Sequence, residues 1–365
     1  MKLDNRLLKE IAQFKNGKKR PNTAGSIPVY GGNGILDYVD TANNENCIII
    51  GRVGAYCGSV YYESGKCWVS DNAISVSPKE NIDVLYLYYL LKQLHLNERH
   101  IGTSQPLLTQ EILNSISCTV LEKSTQKKVS QLLRSIDEKI ALNQKINDNL
   151  EQQAQVIFKS WFVNFEPFGG VALDSWNIVT LEDMTSLVSR GIAPKYAEES
   201  DQVVLNQKCI RNHVVDLSEA RTHIPKKINE KWLQYGDVLI NSTGTGTLGR
   251  VAQVWFEPHN MTVDSHVTIV RPASKELIYY VGIWGITHER EIESLHTGST
   301  GQTELPRDRV KAIELLCPDK DTLNRFNVIV APMTAMIAEN QEENKRLSAI
   351  RDTLLPKLMG GEIQL

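Results

Sequence analysis

Ile140-Ala141-Leu142-Asn143-Gln144 returns 197 residues later as Ile337-Ala338-Glu339-Asn340-Gln341. Around the first copy, apolar residues stand at Val129, Leu133, Ile136, Ile140, Leu150, Ala154, Ile157 and Trp161, and Asn143 and Asn147 fill the two remaining places. Steps of four and three residues are heptad spacing on one long helix. Adding 197 gives Phe326, Val330, Met333, Ile337, Leu347, Arg351, Leu354 and Leu358, with Asn340 and Asn344 in the two polar places. The second helix therefore repeats the first in register, and from Val129 to Trp161 such a helix rises ~48 Å at 1.5 Å per residue.

The stretches ahead of the helices correspond as well. Ile48-Ile49-Ile50-Gly51-Arg52-Val53-Gly54 matches Val238-Leu239-Ile240-Asn241-Ser242-Thr243-Gly244, each a buried-type strand running into a glycine-rich loop. Val69–Val76 matches Thr262–Ile269 when Asp71 is set against Asp264, and Gly102-Thr103-Ser104-Gln105 matches Gly298-Ser299-Thr300-Gly301-Gln302. Helical stretches are expected at Val84–Leu96 and Glu276–Ile286. Pro167-Phe168-Gly169-Gly170 is expected to break the first long helix, Pro356 to interrupt the second, and Gly360-Gly361 to stop it. The fold class is α+β twice over: a globular part over residues 1–120, a helix over 121–166, a second globular part over 167–318 and a helix over 319–365.

Two packings satisfy an apolar helix seam. Each helix can lie on its own globular domain, or the two can pair as an antiparallel coiled coil. The paired asparagines favour the second, because polar seam positions fix register at some cost in stability. Antiparallel pairing predicts a pseudo-two-fold repeat with the globular parts at opposite ends of a spacer. That geometry suits a split target such as DNA with two half-sites.

Composition narrows the classes. Of 365 residues, 41% are hydrophobic and 23% charged, which fits a globular protein of two or three domains. No apolar run approaches the ~20 residues of a membrane span, and residues 1–10 hold no apolar signal core, which predicts the cytoplasm. The six cysteines form no C-x-x-C pair, so reduced, mostly buried thiols are expected and no metal site. A net charge of -3 leaves any nucleic-acid argument to local charge. The loop Thr243–Arg250 lacks the Gly-Lys-Ser/Thr ending of a P-loop. Pro318-Asp319 with Glu343-Asn344-Lys345 fits a nuclease pattern only loosely, since Asn344 is a seam residue. No Asn/Asp-Pro-Pro-Tyr/Phe motif for amino-methyl transfer is present, and His266 finds no Ser/His/Asp set by spacing.

Several motifs resemble those of the specificity (DNA-recognition) subunits of type I restriction-modification systems. They are Ile27-Pro28-Val29-Tyr30-Gly31-Gly32-Asn33-Gly34-Ile35, Gly51-Arg52-Val53-Gly54, the helix end from Leu150 to Phe162, and Leu354-Leu355-Pro356-Lys357-Leu358-Met359 with Gly361-Glu362-Ile363. The resemblance covers essentially the whole chain. It implies two target-recognition domains, each reading half of a bipartite sequence in double-stranded DNA, and a coiled coil that sets the spacer. It also implies docking of two adenine-methyltransferase subunits, joined by motor-nuclease subunits, with no membrane partner. The chain itself would be non-catalytic and hold no cofactor; S-adenosylmethionine, ATP and Mg would be used by the partners. One departure is that Leu3 stands where the second half has Trp176.

Local charge agrees with a DNA role. Lys18, Lys19 and Arg20 close a basic N-terminal stretch, and Lys208, Arg211, Arg221, Lys226, Lys227 and Lys231 cluster in the second half. Lys18, Lys19, Arg20, Lys208, Arg211, Lys226 and Lys227 are the candidates for phosphate contact. Asn33, Arg52, Gln105, Ser242, Thr243 and Gln302 are the candidates near base edges, since Asn and Gln pair with adenine and Arg with guanine. Gln105 and Gln302 recur in both halves, which suggests scaffold. Gly31, Gly32 and Gly34 are expected to serve turn geometry. The competing class is a structural adaptor that joins two protein partners without reading DNA; it needs no basic segments.

Overall fold

A computed structural model describes residues 3–102, 104–298 and 303–365. Two compact units form: Met1–Leu142 with Glu343–Leu365, and Asn143–Glu342.

In the first unit, β1 (Leu3–Leu7) leads through α1 (Leu8–Ile11) into β2 (Ala12–Asn16), followed by β3 (Ile27–Gly31), β4 (Gly34–Val39), β5 (Asn44–Gly51), β6 (Val60–Val69) and β7 (Ala73–Pro78). Six strands make one sheet in the order β2-β7-β5-β6-β3-β4, with only the β3–β6 pair parallel. Ile48, Ile49 and Ile50 of β5 are fully buried, as a central strand covered on both faces requires. The cover on one face is α2 (Val84–Gln93), whose N-terminus is capped by the Asp83 carboxylate accepting from the Tyr86 N–H at 2.8 Å. α3 (Gln110–Ser115) and β8 (Ser117–Leu121) follow, and β8 pairs antiparallel with β1.

The second unit repeats this frame. β9 (Asn177–Thr180) pairs with β19 (Glu314–Cys317) as β1 pairs with β8. β10 (Thr185–Arg190), β18 (Val267–Pro272), β15 (Val238–Asn241) and β16 (Val251–Gln253) form an antiparallel sheet in that order. Between β10 and β15 lie β11 (Val203–Leu205), β12 (Ile210–Arg211), β13 (Val214–Val215) and β14 (Arg221–Thr222), and β17 (Met261–Val263) precedes β18. α5 (Ile278–Thr287), α6 (Glu289–Ser294) and α7 (Arg307–Lys311) complete it. Trp176 is buried and donates from Nε1 to Asp319 Oδ2 at 2.9 Å, whereas Leu3 at the matching place is exposed.

Backbone bonds give the true register of the repeat. Gly17 N–H donates to Ala73 O and Gly191 N–H to Val267 O; Lys18 bridges Ser70 and Ile192 bridges Asp264. Ser70, not Asp71, is therefore the counterpart of Asp264. The Asp71–Asp264 alignment is one residue out, because matching two aspartates hides a loop that differs in length upstream.

Both long helices, α4 (Lys123–Phe162) and α8 (Lys320–Met359), give half their length to each unit, and in each unit the halves run antiparallel. In the second unit Asn340 Nδ2 donates to Asn147 Oδ1 at 2.8 Å, and Phe326 packs on Phe162 with ring centroids 4.9 Å apart. In the first, Asn344 Nδ2 donates to Ile140 O at 3.4 Å, and Arg351 pairs with Asp137 at 2.8 Å. Arg351 stands in the seam place that Ala154 fills on α4, so the charge is met by a carboxylate from the facing helix. Asn143 is fully buried. Each half also packs on its own globular part: Phe158 and Phe162 enter the core of the second unit, Leu358 and Met359 that of the first.

Two expected helix breaks are corrected. Pro356 lies inside α8, where a proline forfeits one N–H bond and the packing of Leu354, Leu355, Leu358 and Met359 holds the turn. α4 ends at Phe162, five residues before Pro167, as the chain reaches Phe165 in the left-handed region at φ 57°.

Candidate nucleic-acid interface

In the first unit the strand ends converge on three loops. After β2, a Cβ on Gly17 would lie 1.9 Å from Ser70 O, so this backbone crossing accepts only glycine. The crossing places Lys18, Lys19 and Arg20, all exposed, at the start of the next segment. Arg20 reaches Asp37 at 2.8 Å, but both are about half exposed and such surface pairs contribute little. The loop after β5 is tied on both sides: Arg52 N–H donates to Asn72 O, Leu108 N–H to Arg52 O, and Gly54 N–H to Pro106 O. The β3–β4 turn is fastened to it through Ser59, whose hydroxyl donates to Gly32 O at 2.5 Å, and to β6 through Tyr61, whose hydroxyl reaches the same oxygen at 3.3 Å. Asn33 and Gln105 are exposed on these loops; Arg52 is half-buried, with its Nε enclosed and unpaired. Gly34 is left-handed at φ 83°, whereas Gly31 serves space: a Cβ there would meet the Leu36 side chain at 2.4 Å.

The second unit builds the same loop cluster from different side chains. Ser242 N–H donates to His266 O as Arg52 N–H does to Asn72 O, and Leu305 N–H donates to Ser242 O as Leu108 N–H does to Arg52 O. The paired positions are therefore Arg52 and Ser242, Val53 and Thr243, Asn72 and His266. Beside this cluster opens a polar groove of about 610 Å³, whose lining includes Tyr196, Gln207, Lys208, Arg221, Thr243 and His266. Thr243 Oγ1 and His266 Nδ1 are hydrogen-bonded at 2.8 Å, and Thr243 Oγ1 also donates to Gln207 Oε1 at 3.3 Å. Asp264 accepts from the His266 N–H at 2.9 Å, and burial raises its carboxyl above the usual range against that bond. Gly244, at φ 104°, keeps the groove open, since a Cβ there would meet Thr247 Oγ1 at 2.3 Å and Gln207 Nε2 at 2.8 Å.

The candidates divide accordingly. Lys208 and Thr243 share the groove. Ser242 does not belong to a contact surface: it is fully buried, its hydroxyl 2.6 Å from Thr268 Oγ1, so it is scaffold. Arg211, Lys226 and Lys227 are exposed away from the groove lining, and Lys226 Nζ donates to Ala193 O at 2.8 Å. Gln302 lies outside the described residues. Tyr196, Gln207 and His266 were not singled out from the sequence as contact residues. The one signal for His266 was the repeat itself, once set in the right register against Asn72.

A second cluster fastens the segment between β10 and β15. His213, left-handed at φ 60°, lies 2.5 Å from Glu151 and 3.5 Å from Glu289. Burial alone would lower its pKa, but the two carboxylates override this and push it up to about 10. Among the described residues no group of His, Cys, Asp and Glu is arranged to hold a metal ion, and no helix is long and apolar enough to cross a membrane. All six cysteines are free thiols.

Residues 2–152 match the family model described as type I restriction modification DNA specificity domain. The chain is 26% identical over 314 residues to the type I restriction enzyme MjaIX specificity subunit of Methanocaldococcus jannaschii, covering 80% of this chain and 72% of that one. It is 25% identical over 376 residues to the HindI specificity subunit of Haemophilus influenzae, covering 81% of each. Among solved structures, the S subunit of a type I restriction-modification system from M. genitalium shares the fold, with a TM-score of 0.64 and 17% identity over 98% of this chain and 96% of that one.

Proposed function

We propose that this chain, a relative of the type I restriction-modification specificity subunits, reads a bipartite sequence in double-stranded DNA and leaves catalysis to its partners. One observation carries the reading: two loop clusters share a backbone frame, held by matched hydrogen bonds, yet present different side chains at matched positions. A common frame that carries Arg52, Val53 and Asn72 in one copy, and Thr243 and His266 beside a buried Ser242 in the other, suits two different half-sites. The exposed basic residues Lys18, Lys19 and Arg20 in one unit, and Lys208 in the other, supply phosphate contacts that position each unit.

The long helices set the gap between half-sites and dock the methyltransferase subunits. Support for docking is the apolar surface they leave in the second unit, with Val328, Ile329 and Met336 exposed on α8, Val156 on α4 and Val163 just past its end. The chain acts in the cytoplasm with two adenine-methyltransferase subunits and, in the restriction enzyme, motor-nuclease subunits.

Co-expression with the methyltransferase partner, followed by mapping of methylated adenines, tests this. The expected outcome is one split motif with a fixed gap. Methylation that ignores one half of the motif would refute it, and a stable complex without methylation would favour an adaptor.

A further inference from the structure

The guanidinium of Arg221 lies 3.5 Å from the centroid of the Tyr196 ring, at the groove of the second unit. Both residues are exposed, and among the described residues no hydrogen bond or ion pair engages the Arg221 side chain. The stack rests on fixed backbone. Arg221 opens β14, which pairs with β11 through Val204, and Tyr196 is bridged to His223. Between them Thr222 Oγ1 donates to Ala197 O at 2.6 Å, and Ala197 N–H returns to Thr222 O at 3.2 Å. Five N–H donors are thus held in one plane by an aromatic face and two strands, with none of them spent.

We infer that Arg221, held by Tyr196, reads a guanine in the half-site bound by the second unit; the inference rests on the DNA reading proposed above. A phosphate can be met by a point charge on a flexible stem, as Lys227 offers, and takes no base identity from a fixed fork. A guanine edge needs a planar fork aimed at O6 and N7, and pre-orientation by stacking limits the entropy lost on binding. The neighbours in the groove fit a base edge, since Gln207, Thr243 and His266 offer donors and acceptors side by side. The segment that carries Tyr196 and Arg221 lies between β10 and β15, where the first unit has the β3–β4 hairpin. The guanine requirement therefore belongs to one half-site only.

The experiment uses the full chain in complex with its methyltransferase partner, assayed on DNA randomised across both half-sites. The wild type should show one position in the second unit's half-site where guanine is preferred roughly 5- to 150-fold. Arg221→Ala should bring that preference close to unity and leave the other half-site unchanged. Arg221→Lys keeps the charge, so it should retain overall affinity while losing most of the discrimination. Tyr196→Leu, which frees the fork, should give an intermediate loss. An intact guanine preference in Arg221→Ala would overturn the inference. So would a uniform loss across all sequences, restored by lysine, which is the behaviour of a phosphate contact. A wild-type complex with no split motif would overturn the DNA reading and this assignment together.

Discussion

At one matched place in the two sheets, the units of this chain bury opposite chemistry. In the second unit Asp237 is fully buried and held by Arg271, with Nε to Oδ1 at 2.7 Å and Nη2 to Oδ2 at 2.8 Å. In the first unit the same positions are Cys47, buried 3.6 Å from Cys67 Sγ, and Ser77, which is exposed, so no ion pair forms there. Arg271 also donates to Glu230 O and Trp232 O, both in the segment that separates β10 from β15. The ion pair thus anchors a long insertion that the first unit lacks. A shared frame can be kept while its buried contacts are rebuilt around whatever is inserted into it.

The largest expected break of that symmetry is Arg271→Met. It leaves Asp237 buried and unpaired, so the second unit should lose about 3–5 kcal/mol, while Cys47→Ala in the first unit should cost no more than about 1–2 kcal/mol. Unfolding followed by hydrogen exchange resolves the units, and equal losses would refute the contrast. Next come Gly17→Ala and Gly191→Ala, which test what the units share. Each Cβ would lie 1.9 Å from a carbonyl oxygen, of Ser70 and of Val263, so both variants should lose about 1–3 kcal/mol, each in its own unit. A neutral result at either glycine would show that the crossings are not equivalent.

The last effect is on pH. The pKa of His213 is raised to about 10 in the folded chain from an ordinary value near 6.5. Its contribution is therefore complete below about pH 6.5, falls as pH rises and is gone above about pH 10. Bonds to charged groups suggest about 1–3 kcal/mol. The second unit should weaken relative to the first over that window, and His213→Gln should remove the difference. A pH profile unchanged by His213→Gln would refute the assignment.

Much of the frame was legible in the sequence because it is written in periodicity. Ten seam positions at heptad spacing gave both helices, and the apolar runs at Ile48–Ile50 and Val238–Ile240 gave the central strands. What sequence hid was mostly a matter of depth. Ser242 has the composition of a contact residue and lies at the end of a strand, yet the Thr268 hydroxyl draws it inside. Asp71 and Asp264 look alike, but one is exposed and the other is buried under its bond to the His266 N–H. Tyr196 and Arg221 are 25 residues apart in a stretch without periodicity, so only cross-strand pairing brings them together. Pro356 read as a breaker because local rules carry no record of tertiary packing.

The return of the chain to its first unit has a consequence for synthesis. Leu358 and Met359 are buried in the same core as Leu8, Ile11 and Leu87, and Leu354, Leu355 and Ile363 pack against it. The second unit is complete in sequence at Glu342. Emerging from the ribosome at about 5–20 residues per second, the second unit can close first, although it is made later. The first must wait with its apolar floor uncovered until residues 343–365 have emerged. A nascent chain stalled short of these residues would expose that floor, which makes the N-terminal half, the earliest to be made, the one most dependent on chaperones.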